Sequence, residues 1–463
     1  MDTQEENITL KIEKLIYGGH GIAYTPTRKT VFLSNVAPGE LVETTIDKQK
    51  KGSLWAKPLK IIEPNAELRV QERCSHTHEC GGCSYQHLNY SAQIKAKEQI
   101  LLEIYKNYDL PKQVLEETIK SPQQFYYRNK CEFSFGNNSS GSIDLGLHPP
   151  GKYFEVLNLK ECHLLPTFMW EILQECKKLV NESGLEVFRD LKDEGFWSTV
   201  AVRYSFSSQD ALLVWKVKDP NSQQLKQISQ ELVKKFPKIL GILAQPAQKV
   251  AQNEENLLQI CGINTISESI GDVNFVYQAE NFFQINISVL PLLMARIVEL
   301  VNLVQPDIVY DLFGGVGAIG ICVAKQIPSL KKVIGAEADK MACKMASFNA
   351  ELNSITNYES HYFNLYKRGW GKAIKLDIKN YGNQKQKICA IIDPPRGGLS
   401  GKTVRDLSDL SPDSIIYVSC NPSTQRRDVE LLAELGYKMK NLQLIDMFPQ
   451  TFHLESIALL EKY

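Results

Sequence analysis

Four short apolar runs in the last third of the chain each break off at a residue with chemistry to offer. The run 308–313 carries Asp311 and leads into Gly314-Gly315-Val316-Gly317-Ala318-Ile319-Gly320; 333–336 ends at Glu337; 388–392 meets Asp393-Pro394-Pro395-Arg396; and 415–418 meets Ser419-Cys420-Asn421-Pro422. Strand-length runs alternating with helical stretches mark a parallel, doubly wound sheet. Ligands of such sheets bind outside the carboxyl ends of the strands, so the pattern lines up functional side chains along one edge. A buried structural role is the commoner fate of a lone cysteine. Cys420 sits where Asn-Pro stops its strand, at the ligand-binding edge, and its neighbours along that edge favour a nucleophile.

The glycine-rich turn satisfies G-x-G-x-x-G through Gly315, Gly317 and Gly320, with Glu337 a carboxylate 22 residues after Gly315. This is the dinucleotide fingerprint, so a nicotinamide oxidoreductase is one reading. S-adenosylmethionine is the other. Its methionine part carries an ammonium that suits Asp311, Glu337 can accept both ribose hydroxyls, and an unpaired buried carboxylate at Asp311 would be costly as mere core. Hydride transfer has no use for the Asp393-Pro394-Pro395-Arg396 loop or for Cys420.

At 463 residues the chain is long enough for two to four domains. Lys plus Arg and Asp plus Glu both number 53, so any basic surface is local. The start, 1–6, is acidic and polar, and Arg296 and Glu299 interrupt the best apolar helix, 289–304. These features lead us to expect a cytoplasmic protein with no membrane partner, in which eleven cysteines are core residues, metal ligands or a nucleophile rather than a disulfide framework.

Residues 1–62 read as a small β-barrel: short apolar runs punctuated by Gly18-Gly19-His20-Gly21, Pro38-Gly39 and Lys51-Gly52. Lys48, Lys50, Lys51, Lys57 and Lys60 around Trp55 suit phosphate contacts and base stacking, or a solvated turn beside a core tryptophan. Residues 63–90 hold Cys74, Cys80 and Cys83, the last two bracketing Gly81-Gly82. Three thiols so spaced can converge on one soft metal centre, with Cys162 as the chosen fourth. Zinc and a [4Fe-4S] cluster both accept four thiolates, and His76, His78, His87 and His163 leave a mixed Cys/His zinc site open. Residues 91–265 read as a central α+β region: a helix over 91–108 ended by Pro111, strands over 131–135, 200–206 and 211–218, and a helix over 223–236. Its stretch 125–130 sets Phe125, Tyr126, Tyr127, Arg128 and Lys130 at the mouth of a strand, fit for an unstacked base and its phosphate or for sheet core with solvated charges. Residues 266–463 form the doubly wound domain.

The segments 18–23 and 38–40 resemble the TRAM domain, an RNA-binding barrel. Together with the stretch 278–286, the loops after Asp393 and Cys420, and 448–456, they make nearly the whole chain resemble the RNA uracil-C5 methyltransferase family, specifically its iron–sulfur branch acting on 23S ribosomal RNA. The resemblance implies a Rossmann-like methyltransferase domain and a [4Fe-4S] cluster on Cys74, Cys80, Cys83 and Cys162. It further implies S-adenosylmethionine contacts from Gln284, Phe313, Glu337 and Asp393, nucleophile Cys420 and general base Glu455. Asn364 is carried over to the cofactor site, Asp311, Gly315 and Gly317 belong to its glycine turn, and the helix after the cysteines is expected to pack on the methyltransferase domain. Ala318 departs from the polar residue common at its place. The RNA partner is 23S rRNA, with tRNA as alternative, and the chain is expected to be a monomer. A catalytically silent RNA-binding factor is the remaining alternative, against which intact Cys420 and Glu455 argue.

Overall fold

The computed structural model describes residues 7–50, 52–108, 114–248, 257–378 and 386–463. The stretch 1–6, Lys51 and Pro111 lie outside the described residues.

The amino-terminal sheet comprises β1 (Ile8–Lys11), β2 (Lys14–Ile16), β3 (His20–Tyr24), β4 (Thr30–Leu33), β5 (Leu41–Lys50) and β6 (Ser53–Glu63) in the order β1-β5-β6-β4-β3-β2. Alternation drives it: Leu10, Val31, Leu33 and Val42 point to one small core while their neighbours face outward. Glu40 fixes the exit, its carboxylate accepting from Ala37 N at 2.7 Å and pairing with Arg69 Nε at 2.7 Å.

After the cysteine segment comes α1 (Tyr90–Tyr105), capped by Asn89, whose side chain accepts from Ala92 N. The central sheet is next, with β7 (Lys130–Asn137), β8 (Ile143–Gly146), α2 (Thr167–Glu182), β9 (Trp197–Tyr204), β10 (Ala211–Val217), α3 (Gln223–Lys235), β11 (Ile239–Pro246) and β12 (Leu258–Gly262). The strand order is β12-β11-β10-β9-β7-β8. One face, with Phe133, Phe135, Val200, Val202, Leu213 and Trp215, is buried in the same core as α2 and α3. The opposite face carries Lys130, Glu132, Thr199, Arg203 and Lys216.

A hairpin of β13 (Thr265–Ile270) and β14 (Val273–Gln278), then α4 (Leu290–Val304), lead into the last sheet. Its elements are β15 (Ile308–Leu312), α5 (Ala318–Gln326), β16 (Lys332–Glu337), α6 (Lys340–Leu352), β17 (Tyr358–Tyr362), α7 (Trp370–Ile378), β18 (Ile388–Ile392), α8 (Gly401–Leu410), β19 (Ser414–Ser419), α9 (Pro422–Ala433), β20 (Tyr437–Ile445) and β21 (Glu455–Lys462). The order is β17-β16-β15-β18-β19-β21-β20, with β15 through β19 parallel and β21 antiparallel to β19. The chain reverses its order between β15 and β18, the crevice where open α/β sheets bind ligands.

Successive residues of the parallel strands enter opposite cores, as two covered faces require. Val309, Cys389 and Ile391 share a core with α4, α5 and α6; Ile308, Tyr310, Ile388 and Ile392 share the other with α8 and α9. Ile100, Leu101 and Tyr105 of α1 join this second core, so the helix is part of the layer covering the last sheet, as the resemblance implied. Among the described residues no helix is long and apolar enough to cross a membrane.

Candidate active site

The parallel strands of the last sheet bring residues at or next to their carboxyl ends to one edge, where the chain must turn. On β15 this is Asp311, almost fully buried, whose Oδ2 accepts from Gly320 N at 2.8 Å and so holds the entrance of α5. Phe313 comes next with φ 65°, a left-handed conformation that a bulky residue rarely adopts without a functional or packing constraint. Gly315 (φ 54°) and Gly317 (φ 85°) share that region, and a Cβ on Gly317 would lie 2.7 Å from Ile321 Cδ1. Gly315 N donates to Glu337 Oε2 at 3.1 Å, drawing the glycine turn to the tip of β16. Asn364, just past β17, turns the backbone by accepting from Tyr366 N at 3.1 Å, and the Tyr366 ring meets Phe313 at 5.6 Å.

Asp393 ends β18, and its Oδ2 accepts from Gln284 Nε2 at 3.2 Å, which brings the segment before the sheet into the crevice. Burial, opposed by the Gly320 hydrogen bond, pushes Asp311 up to about 7. Burial, then the Asp311 charge, raises Asp393 too. Two acids held near neutrality are a ready site for a cation.

Cys420 lies just past β19, and β21 runs antiparallel beside it with Ser419 opposite Ser456. That pair is the last of the ladder, so Cys420 and Glu455 both stand at its end, close enough for the Glu455 charge to act on the thiol. Asn421 caps α9 by accepting from Ser423 N and donates from Nδ2 to Arg396 O at 3.0 Å, tying the turn after Cys420 to the loop after Asp393. Burial, then the charges of Glu455 and Asp393, push the Cys420 thiol up to about 11 against the Arg396 cation. Burial and Asp393 likewise raise Glu455 well above the ordinary carboxylate range, again against Arg396. Arg396 makes no ion pair with Asp393 or any other described residue and remains exposed, free to meet substrate.

Cys74, Cys80, Cys83 and Cys162 line one other cavity, between the cysteine segment and the central sheet. Gly82 N points at Cys80 Sγ at 3.3 Å and Gln86 Nε2 at Cys83 Sγ at 3.2 Å. Of the four histidines only His163 lines this cavity, and each has a partner of its own. His76 Nε2 accepts from Lys160 N, His78 faces Glu72, His87 Nε2 meets Val36 O, and His163 lies between Glu161 and Tyr126. No group of three or more His, Cys, Asp or Glu among the described residues stands as a metal site.

Comparison with known proteins bears on the sheet and on the amino-terminal barrel. The tRNA (Uracil-5-)-methyltransferase family model matches residues 263–463 and the TRAM domain matches 3–59. An uncharacterized RNA methyltransferase of Caldanaerobacter subterraneus subsp. tengcongensis is 30% identical over 465 residues, covering 99% of each chain. The chain belongs to the RNA uracil-C5 methyltransferase family. A second RNA methyltransferase, from Thermotoga maritima, is 28% identical over 460 residues, covering 98% of each chain. The crystal structure of Pyrococcus abyssi tRNA (uracil-54, C5)-methyltransferase with S-adenosyl-L-homocysteine has the same fold: TM-score 0.73 at 24% identity, covering 98% of this chain and all of that one.

Within this methyltransferase fold several residues stand at the two sites that sequence reasoning passed over. Tyr17 of the TRAM barrel packs edge-on against Phe452 at 5.8 Å and lies in the field of Arg396, Cys420 and Glu455. His453, its ring 4.3 Å from Phe452, is pushed down to about 4 by burial and nearby cations, and so is neutral at neutral pH. Cys131 lines the cysteine cavity as a fifth thiol, although its strand alternation marks it only as core. Arg128, expected as a cation at the strand mouth, instead turns inward to the same cavity, and Tyr127 is fully buried with its hydroxyl donating to Pro449 O at 3.0 Å. The aromatic-plus-basic reading of 125–130 therefore survives only at Phe125, Tyr126 and Lys130.

Proposed function

We propose that this enzyme methylates C5 of a uridine in RNA, with Cys420 as covalent nucleophile and Glu455 as general base. The observation that carries the reading is the end of the β19–β21 ladder at Ser419 and Ser456, where the next residues, Cys420 and Glu455, come within each other's electrostatic reach beside the crevice where Gln284 meets Asp393.

Uracil C5 is a poor nucleophile, so the Cys420 thiolate first adds to C6, forming an S–C6 bond and placing the displaced electron pair on C5 as an enolate. S-adenosylmethionine, when bound, supplies a methyl group on a sulfonium that leaves as a neutral thioether. C5 then carries the methyl and its original hydrogen. Glu455 takes that proton, the C5–C6 double bond re-forms and the sulfur departs as thiolate. Gln284, Phe313, Glu337, Asn364 and Asp393, with the turn of Asp311, Gly315 and Gly317, would hold the cofactor; the raised acids suit its ammonium and Glu337 its ribose.

Cys74, Cys80, Cys83 and Cys162 would hold a [4Fe-4S] cluster. The fit rests on these four thiols lining one cavity, with Cys131 and the Arg128 cation also at its wall and N–H donors aimed at two of the sulfurs. Methyl transfer needs no electrons, so the role is structural. In this reading residues 1–62 and 91–265 hold RNA, 63–90 bear the cluster and 266–463 perform the chemistry. The substrate is 23S rRNA, on the resemblance of the cysteine-bearing chain; tRNA is the second reading, favoured by the family description and by the Pyrococcus enzyme's substrate.

Purified enzyme incubated with methyl-labelled cofactor and separated rRNA and tRNA from cells lacking the protein tests this. Label should appear as 5-methyluridine in one pool, and none with Cys420→Ala. Label at another base position overturns the reading.

A further inference from the structure

The open face of the central sheet holds a second candidate site. Lys130 on β7 pairs directly with Arg203 on β9, so both side chains project to the face that α2 and α3 leave uncovered. They line an open cleft of about 190 Å³, walled on one side by Ala279 and Glu280. Arg203 is only 2% exposed. Its Nη2 donates to Ala279 O at 3.1 Å and Asn281 O at 2.7 Å, and the Tyr277 ring covers the guanidinium at 5.1 Å. Nε and Nη1 find no hydrogen-bond partner among the described residues. Two orphaned donors on a buried cation are costly unless something that binds there satisfies them.

The remaining charges of the cleft leave room for an anion. Lys216 is taken up by Glu132 at 2.8 Å, and Glu132 also accepts from Thr199 at 2.9 Å. Glu280 stands exposed at the rim. Lys130 has neither an ion pair nor a hydrogen bond from its ammonium among the described residues; burial first, then Arg203, holds its pKa below the usual lysine range. Binding of an anion would relieve both cations at once.

We propose that Lys130 and Arg203 bind a backbone phosphate of the substrate RNA beside the target uridine. The inference rests on the reading of the protein as an RNA methyltransferase and adds where the strand is gripped. Arg203 holds the carbonyls of the 279–281 turn, and Gln284, hydrogen-bonded to Asp393, lies four residues after Glu280. Four residues span at most about 14 Å, so the cleft lies beside the crevice that Gln284 enters. A phosphate accepted by Arg203 also stiffens the turn that presents Gln284.

The test uses full-length enzyme and whichever transcript, 23S rRNA or tRNA, the wild type methylates. Lys130→Gln should weaken RNA binding about ten-fold and lower the slope of log affinity against log salt by about 0.7–0.9. Lys130→Arg should restore both, and cofactor affinity should be unchanged in either variant. A slope that does not track the charge at position 130 overturns the inference, including when Lys130→Gln has lost stability and Lys130→Arg has regained it. A wild type that methylates no RNA would instead overturn the proposed function, so the two failures are distinguishable. As an independent arm, replacing single phosphates near the target by neutral methylphosphonates should find one position that matters to wild type and not to Lys130→Gln. No such position also overturns it.

Discussion

The resting Cys420 should be an unusually sluggish thiol, and cofactor binding should wake it. Burial, then Glu455 and Asp393, push it up to about 11. At pH 7 that leaves roughly one thiol in ten thousand ionised, against a few per cent for a free cysteine of pKa about 8.5. Alkylation of the free enzyme should therefore run on the order of a hundred-fold slower than that of a simple thiol. Asp393 is among the causes of the shift, and a cationic cofactor beside Asp393 works against it. A unit positive charge about 6 Å away, at an effective dielectric near 20, is worth roughly 3 kcal/mol, or about two pH units. The assay is the pH dependence of iodoacetamide labelling at the Cys420 peptide, read by mass spectrometry. S-adenosylmethionine should move the midpoint down by one to two units, roughly as that charge requires; S-adenosylhomocysteine, lacking the sulfonium charge, should move it less. Arg396→Gln, which removes the one cation that lowers the thiol, should move it up. A free-enzyme midpoint at or below about 8.5, or one indifferent to cofactor, refutes the reasoning.

Glu455→Gln should methylate once and stall as a denaturation-resistant protein–RNA adduct carrying the label, visible on a denaturing gel and absent when Cys420→Ala is added; normal turnover would show that another group is the base. S-adenosylmethionine affinity, measured calorimetrically, should tighten as pH rises through the neutral range, because Asp311 at about 7 and the raised Asp393 carry no charge for the ammonium while protonated, and a flat profile would remove them from cation binding. Anaerobically purified protein should be brown with about four irons per chain, lost on Cys162→Ser, whereas one zinc and no iron would refute the cluster.

The carboxyl-edge residues were legible because a parallel strand writes its end into sequence: the apolar run stops, and the next residues must turn and meet a ligand. Glu337, Asp393 and Cys420 obey that rule, while Asp311 stands one residue inside the end of its strand and is marked by being a carboxylate in an apolar run. Partners brought by packing do not. Glu455 stands near Cys420 only because β21 inserts antiparallel between β19 and β20, a pairing that no local pattern encodes. Lys97 reads as a solvated charge on α1, yet it is fully buried, pairing with Asp446 Oδ1 at 2.6 Å and donating to Phe448 O at 3.0 Å. Periodicity shows which face of α1 is apolar, not which sheet covers it. Lys130 is marked in the sequence as a cation at a strand mouth, but only the third dimension sets it opposite Arg203 and shows that two of the Arg203 nitrogens have no partner among the described residues.

These long-range contacts also account for a cysteine cluster in an enzyme that moves no electrons. The segment 446–454, which ends at the proposed base, is held from several directions. Lys97 of α1 grips Asp446 and Phe448, Tyr127 beside the cysteine cavity donates to Pro449 O, and Ser84 N and Tyr85 N, directly after Cys83, donate to Gln450 O at 2.9 and 3.0 Å. Phe452 N donates to Ser84 Oγ at 2.8 Å, and Gly19 of the barrel packs against the Phe452 ring. The thiol-bearing segment has neither helix nor strand of its own between β6 and α1. Such a segment cannot hold a neighbour in place unless something rigid fixes it. A metal cluster joining Cys74, Cys80 and Cys83 to Cys162 would supply that rigidity, and Ser84 and Tyr85 would pass it to the chain that carries Glu455. On this argument the cluster acts on the position of the base, so its loss should slow proton removal from the methylated adduct more than it weakens cofactor binding.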